Sequence, residues 1–128
     1  MKLLLDTHIL IWASARTLPQ EAVPFIANAD NILLFSPASI WEVVIKKGLG
    51  RSDFNIDPAV LRQGLLERGY VELDITSRHV LATGDLPPLH KDPFDRLLIA
   101  QARSEEITLL TVDVTVARYD KGIICIKK

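Results

Sequence analysis

The sequence predicts an α/β protein, a three-layer α/β/α sandwich around a mostly parallel five-stranded sheet. Three observations carry that expectation. Five short runs, at 2–6, 32–36, 71–75, 107–112 and 123–127, are apolar on both faces, as strands are when helices cover both sides of a sheet. Longer segments separate these runs, in the alternation expected of a parallel sheet. Within those segments Pro and Gly fall where helices start and stop.

The first strand, Lys2-Leu3-Leu4-Leu5, closes on Asp6, and helices fill the stretch up to Ile32-Leu33-Leu34-Phe35. Ser36-Pro37 then supplies an N-cap and a Pro at the first helical position, and Gly48 ends that helix. Gly48-Leu49-Gly50-Arg51-Ser52-Asp53 reads as a loop. Asp57-Pro58 starts the helix that leads into the third strand. Thr76 or Ser77 caps a short helix around 78–83, and Gly84-Asp85-Leu86-Pro87-Pro88 is a second loop. Asp92-Pro93 opens the helix Phe94-Asp95-Arg96-Leu97-Leu98-Ile99-Ala100. The strand Ile107-Thr108-Leu109-Leu110-Thr111-Val112 closes on Asp113, and a last helix and strand follow. No repeat, low-complexity tract or linker interrupts the pattern, so residues 1–128 are expected to form one domain. That length suffices to bury roughly two thirds of the unfolded surface.

The net charge of −1 provides no overall basic field of the kind a nucleic-acid partner attracts. A local basic rim around a neutralised acidic centre would still serve one. The single cysteine, Cys125, lies in Ile123-Ile124-Cys125-Ile126 and is expected to be a small core residue. With no disulfide available and no apolar stretch of membrane-spanning length, a cytoplasmic protein without a membrane segment is expected. The N-terminus imitates a signal peptide, but Asp6 and His8 break its apolar run.

Four acids stand out. Asp6 and Asp113 end strands, Asp95 lies in the first turn of its helix, and Glu42 lies within Ile40-Trp41-Glu42-Val43-Val44-Ile45. Ligands of open α/β sheets bind outside the carboxyl ends of the strands, and all four acids map to that edge. Each has a plainer reading. Asp6, Asp92 and Asp113 suit helix caps, and Asp95 suits a variant capping box with Asp92. Lys46, one turn on, could pair with Glu42. Capping explains nothing about Glu42, however, whose helix is apolar almost all round. A buried carboxylate needs a cation, a proton or exposure. One shared metal ion accounts for the whole set, and carboxylates without Cys select a hard ion such as Mg²⁺ or Mn²⁺. Such an ion acidifies water and stabilises charge on a phosphodiester, which favours hydrolysis of nucleic acid.

The histidines are read separately. His8 borders the expected site in a structural role, and His79 is a surface or packing residue. His90 could approach substrate, but without a recognisable partner it is expected not to. Trp12 and Trp41 are expected to pack in the core, although either could belong to an interface.

With these residues in view, the chain resembles the PIN-domain family, and within it the VapC toxins of VapBC toxin–antitoxin modules. The resemblance covers nearly the whole chain. It rests on Leu5-Asp6-Thr7-His8, on Ser36-Pro37-Ala38-Ser39-Ile40-Trp41-Glu42, on Leu86 through Ala102, and on Leu110-Thr111-Val112-Asp113. It implies a Mg²⁺- or Mn²⁺-dependent endoribonuclease with Asp6, Glu42, Asp95 and Asp113 as its acidic cluster. It further implies an RNA substrate (tRNA among the candidates), homodimers and inhibition by a cognate VapB-type antitoxin. Thr7, Thr111 and Asp92 are expected to support the ligands from behind. Some family members carry one more acid where this chain has Val116, which counts against a second metal. Lys46, Lys47, Arg51, Lys91 and Arg96 are the expected contacts to RNA phosphates. Two rivals differ in class. A non-catalytic PIN-type module binding RNA or protein would be expected to have lost an acid. An aspartate-dependent phosphatase would carry Asp-x-Asp, where this chain has Asp6-Thr7-His8.

Overall fold

The structure, a computed structural model, describes all residues 1–128. Its strands are β1 (Lys2–Leu5), β2 (Ile32–Phe35), β3 (Val71–Glu72), β4 (Thr108–Thr111) and β5 (Ile124–Cys125). They form one sheet in the order β3-β2-β1-β4-β5, and every pairing is parallel. The helices are α1 (Thr7–Ala15), α2 (Val23–Ala27), α3 (Pro37–Gly48), α4 (Pro58–Glu67), α5 (Ser77–Ala82) and α6 (Pro93–Glu105). None is long and apolar enough to cross a membrane.

Side-chain alternation along β1 divides the interior into two cores. Leu3 and Leu5 join Ile9 and Leu10 of α1, Val43 of α3 and Leu61 and Leu65 of α4 on one face. Leu4, between them, joins Leu98, Ile99 and Ala102 of α6 on the other, with Leu34 and Leu109 of the flanking strands. All three β1 leucines are fully buried, each worth roughly 1.5–3 kcal/mol of transfer free energy. That two-sided burial is why the central strands read as unbroken apolar runs.

The edges depart from expectation. β3 stops at Glu72; after one more bond, from the Leu73 N–H to the Phe35 carbonyl, the chain leaves the sheet. Its only neighbour, β2, has ended at Phe35, so nothing holds 73–75 in register. β5 is likewise two residues long. Ile124 and Ile126 face the core beside α1. Cys125, between them, points the other way on an edge strand and is exposed, not the core residue expected. Trp41 is also a correction: it lies 59% exposed on the outer face of α3. Trp12 does pack against the core.

In this strand order the chain leaves β1 to one side for β2 and later returns to the other for β4. The crevice beyond the carboxyl ends of β1 and β4 is the switch point where open α/β sheets bind ligands.

Candidate metal centre

Local structure at that crevice begins with Asp6. It is the N-cap of α1, and its Oδ1 accepts the Ile9 backbone N–H at 3.0 Å. Its Oδ2 accepts the Thr111 hydroxyl at 2.7 Å and the Val112 N–H at 2.9 Å, so the side chain clamps β1 to β4. Asp113 repeats the division of labour. Its Oδ1 accepts the N–H groups of Thr115 and Val116, while Oδ2 turns to the crevice. Asp92 caps α6 by accepting from Phe94 and Asp95 N–H, and Asp95 follows in the first turn of that helix.

Glu42 lies inside α3 and is buried. The Thr7 hydroxyl donates to its Oε1 at 2.6 Å, and Thr7 is also hydrogen-bonded to Ser39 Oγ at 2.9 Å. Lys46 Nζ donates to Oε2 at 2.5 Å and lies 3.5 Å from Asp92 Oδ2. The helix ion pair that the spacing allowed is therefore made, and it faces inward.

Asp6, Glu42, Asp92, Asp95 and Asp113 line one cavity of about 470 Å³, together with Thr7, His8, Lys46 and His90. Thr111 stands behind it, donating to Asp6 and accepting the Asp113 N–H. Three groups converge most tightly: His90, Asp95 and Asp113 offer ligand atoms within 4.8 Å of one another. Asp6 and Glu42 share the cavity but lie outside that closest set.

The charges in this cavity are unbalanced. Burial, and then the carboxylates of Asp92 and Glu42, push the Asp95 carboxyl up to about 7, with His90 opposing and Asp6 adding to the rise. Burial also raises Asp6 despite the three hydrogen bonds it accepts. For Asp113 burial is outweighed by the His90 contact and the Thr115 and Val116 N–H groups, and its carboxyl sits below the usual range. Burial depresses Lys46, but contact with Glu42 and then the charge of Asp92 more than restore it, so the ammonium persists. One lysine against five acids leaves an excess of negative charge that a divalent cation would reduce, and oxygen donors in this number suit a hard ion.

Residues 3–122 match the PIN domain. The chain belongs to the PIN domain family. Solved structures similar to this PIN domain include VapBC2 of Rickettsia felis bound to a DNA fragment from their promoter, at 19% identity and a TM-score of 0.67. That match covers 99% of this chain and 98% of the other. A toxin–antitoxin complex from Klebsiella pneumoniae matches at 17% identity and 0.65, over 98% of this chain and 99% of the other. The PIN domain endonuclease Utp24 matches at 15% and 0.57, over 95% and 80%. A search of curated protein sequences gave no match.

Among the basic residues expected at RNA, this PIN domain keeps Lys47 and Lys91 exposed. Arg51 is exposed too, but is bound through two nitrogens to Asp53, which His8 also contacts at 3.4 Å. Lys46 is turned into the acids. Arg96 is largely committed within the fold: its two terminal guanidinium nitrogens donate to the carbonyls of Thr83, Leu86, Pro87 and His90 and to Tyr119 Oη.

Sequence reasoning missed His90, whose Nε2 sits 3.0 Å from Oδ2 of both Asp95 and Asp113. The available signal was its place two residues before the cap Asp92 of the helix that carries Asp95. His79 is buried and structural: it completes a capping box with Thr76 and reaches Glu105 at 2.8 Å.

Proposed function

We propose that this PIN domain is a metal-dependent endoribonuclease, the toxin of a type II toxin–antitoxin pair. The observation that carries the reading is the gathering of four carboxylates from four distant segments, Asp6, Glu42, Asp95 and Asp113, onto one cavity at the switch point. Similarity to a toxin–antitoxin complex and to an endonuclease of the same family supports it, as do the motifs shared with VapC proteins. A VapB-type antitoxin and a second copy of the chain are the partners that go with this reading.

In the mechanism we infer, Asp95 and Asp113 would hold Mg²⁺ or Mn²⁺ with help from Asp6 and Glu42. Such an ion, when bound, makes a water nucleophile available near neutral pH and neutralises charge on the scissile phosphate. Everything else falls to the chain. Thr111 and the Val112 N–H hold Asp6 against β4, and Thr7 and Lys46 fix both oxygens of Glu42. Lys47 and Lys91 are free to meet backbone phosphates at the rim. With water as the nucleophile the RNA 2′-hydroxyl takes no part; the new P–O bond forms as the bond to the 3′-oxygen breaks, and that oxygen takes up a proton, so the products would carry a 5′-phosphate and a 3′-hydroxyl.

The test is cleavage of end-labelled RNAs, tRNA included, with Mg²⁺, with Mn²⁺ and with EDTA, alongside Asp95→Asn. Cuts bearing 5′-phosphates that vanish in EDTA and in the variant are expected. Cutting that persists in either would overturn the reading. A folded protein that binds RNA without cutting would favour the non-catalytic module.

A further inference from the structure

His90 Nε2 lies 3.0 Å from Asp95 Oδ2 and 3.0 Å from Asp113 Oδ2, a spacing that resembles three ligands of one cation. The other ring nitrogen argues against that role. The backbone N–H of Asp92 donates to His90 Nδ1 at 3.2 Å. An imidazole that accepts at Nδ1 carries its hydrogen on Nε2. An Nε2 that bears hydrogen has no lone pair to offer a cation. It can only donate, and the two acceptors in front of it are carboxylate oxygens.

The ring is held in this state from behind. Asp92 is immobilised as the cap of α6, which fixes the N–H that faces Nδ1. The His90 backbone N–H donates to Tyr119 Oη at 2.8 Å. Arg96 donates to that same hydroxyl at 3.2 Å, to the His90 carbonyl at 3.4 Å, and to three further carbonyls of the preceding loop. One guanidinium and one phenol thus fix the path of 83–90 and the place of the imidazole.

We propose that His90 is a hydrogen-bond donor within the acidic centre and not one of its cation ligands, with Arg96 and Tyr119 as the residues that position it. The proposal rests on reading the acids as a cation site, and it deepens that reading. The cation is then held by oxygen alone, which keeps the site in the class of hard ions. An imidazole ligand would tilt it toward transition metals.

Two measurements on the whole chain test this, neither of them cleavage. ¹⁵N-edited NMR of the imidazoles reports the tautomer in the cation-free protein and after Mg²⁺ addition. We expect hydrogen on Nε2 and none on Nδ1 in both states; hydrogen on Nδ1 in either overturns the proposal. Calorimetric titration of wild type, His90→Ala and His90→Gln with Mg²⁺ and Mn²⁺ reports ligation. Loss of a donor changes both affinities by the same factor, and His90→Gln, which keeps an amide N–H near Nε2, restores the wild-type values. Loss of a ligand weakens Mn²⁺ selectively, by about 10-fold or more relative to Mg²⁺, and overturns the proposal. Tyr119→Phe should speed solvent exchange of the Nε2 hydrogen about 10-fold, as loss of one restraining hydrogen bond allows; no change removes Arg96 and Tyr119 from the account. If the wild type binds no Mg²⁺, the nuclease reading fails, and the tautomer measurement decides the role of His90 by itself.

Discussion

Replacing Asp95 by Asn should stabilise the cation-free protein at pH 8 even as it destroys the centre. The Asp95 side chain is about four-fifths buried, and its carboxyl is pushed from the ordinary 3.8 up to about 7 by burial and by Asp92 and Glu42. The unfolded chain therefore releases this proton near pH 4 and the folded chain near pH 7. Between those values the folded state binds more protons, so unfolding free energy falls as pH rises. At about 1.4 kcal/mol per pH unit, the accumulated cost above pH 7 is on the order of 4 kcal/mol. Asn removes that cost and keeps an oxygen for the His90 Nε2–H. The assay is urea unfolding in EDTA. With a slope of about 2 kcal/mol/M, the variant's midpoint should exceed the wild type's by up to about 2 M at pH 8. At pH 3, below both values, where the carboxyl is neutral in folded and unfolded chain alike, the difference should largely vanish. Mg²⁺ should restore the wild type, by about 2.7 kcal/mol at one hundred times its dissociation constant, and leave the variant nearly unmoved. A variant no more stable than wild type at pH 8 would refute the claim that the site is short of positive charge.

Other substitutions test the scaffold. Asp6→Ala removes the cap on Ile9 N–H and two donors' acceptor at Thr111 and Val112. It should lower urea stability at pH 5 by about 3 kcal/mol. Thr7→Val takes the only hydroxyl donor from Glu42 Oε1, and a loss of about 1–3 kcal/mol in the same assay is expected. Trp41→Gln, which removes an edge-to-face contact with Phe94 of α6 at 5.2 Å between ring centres, should lower the unfolding free energy of the isolated chain by about 0.5–1.5 kcal/mol.

The central strands and helix starts were legible because single residues carry their signals. Leu3, Leu4 and Leu5 are buried on alternate faces. Ser36-Pro37, Asp57-Pro58 and Asp92-Pro93 each cap as expected, the acceptor oxygen meeting the first free N–H groups. The edge strands were not legible, because their length depends on how far the neighbouring strand runs. Trp41 was not, because α3 is apolar around most of its circumference and periodicity cannot choose its buried face. His90 was out of reach for a different reason. Its position depends on the loop 83–90, and that path is dictated by Arg96 and Tyr119, which sequence reading had no cause to join to it.

Asp6 and Asp113 show why capping a helix does not by itself exclude a role at the crevice. Each gives Oδ1 to backbone N–H groups at the start of a helical turn, and in Asp113 this leaves Oδ2 turned toward the crevice, where it meets His90 Nε2. Capping fixes the rotamer, so an aspartate at a strand end arrives already aimed at the switch point. Glu42 has no such help, since within a helix every nearby N–H is already bonded. Its two oxygens depend on side chains, Thr7 on one and Lys46 on the other. Lys46 is also the only lysine in the cavity. It therefore does for Glu42, in the cation-free chain, what the fold does for the aspartates through its backbone. An incoming cation would have to share Glu42 with that ammonium, whereas Asp95 confronts it with no lysine or arginine, only the Nε2 of His90.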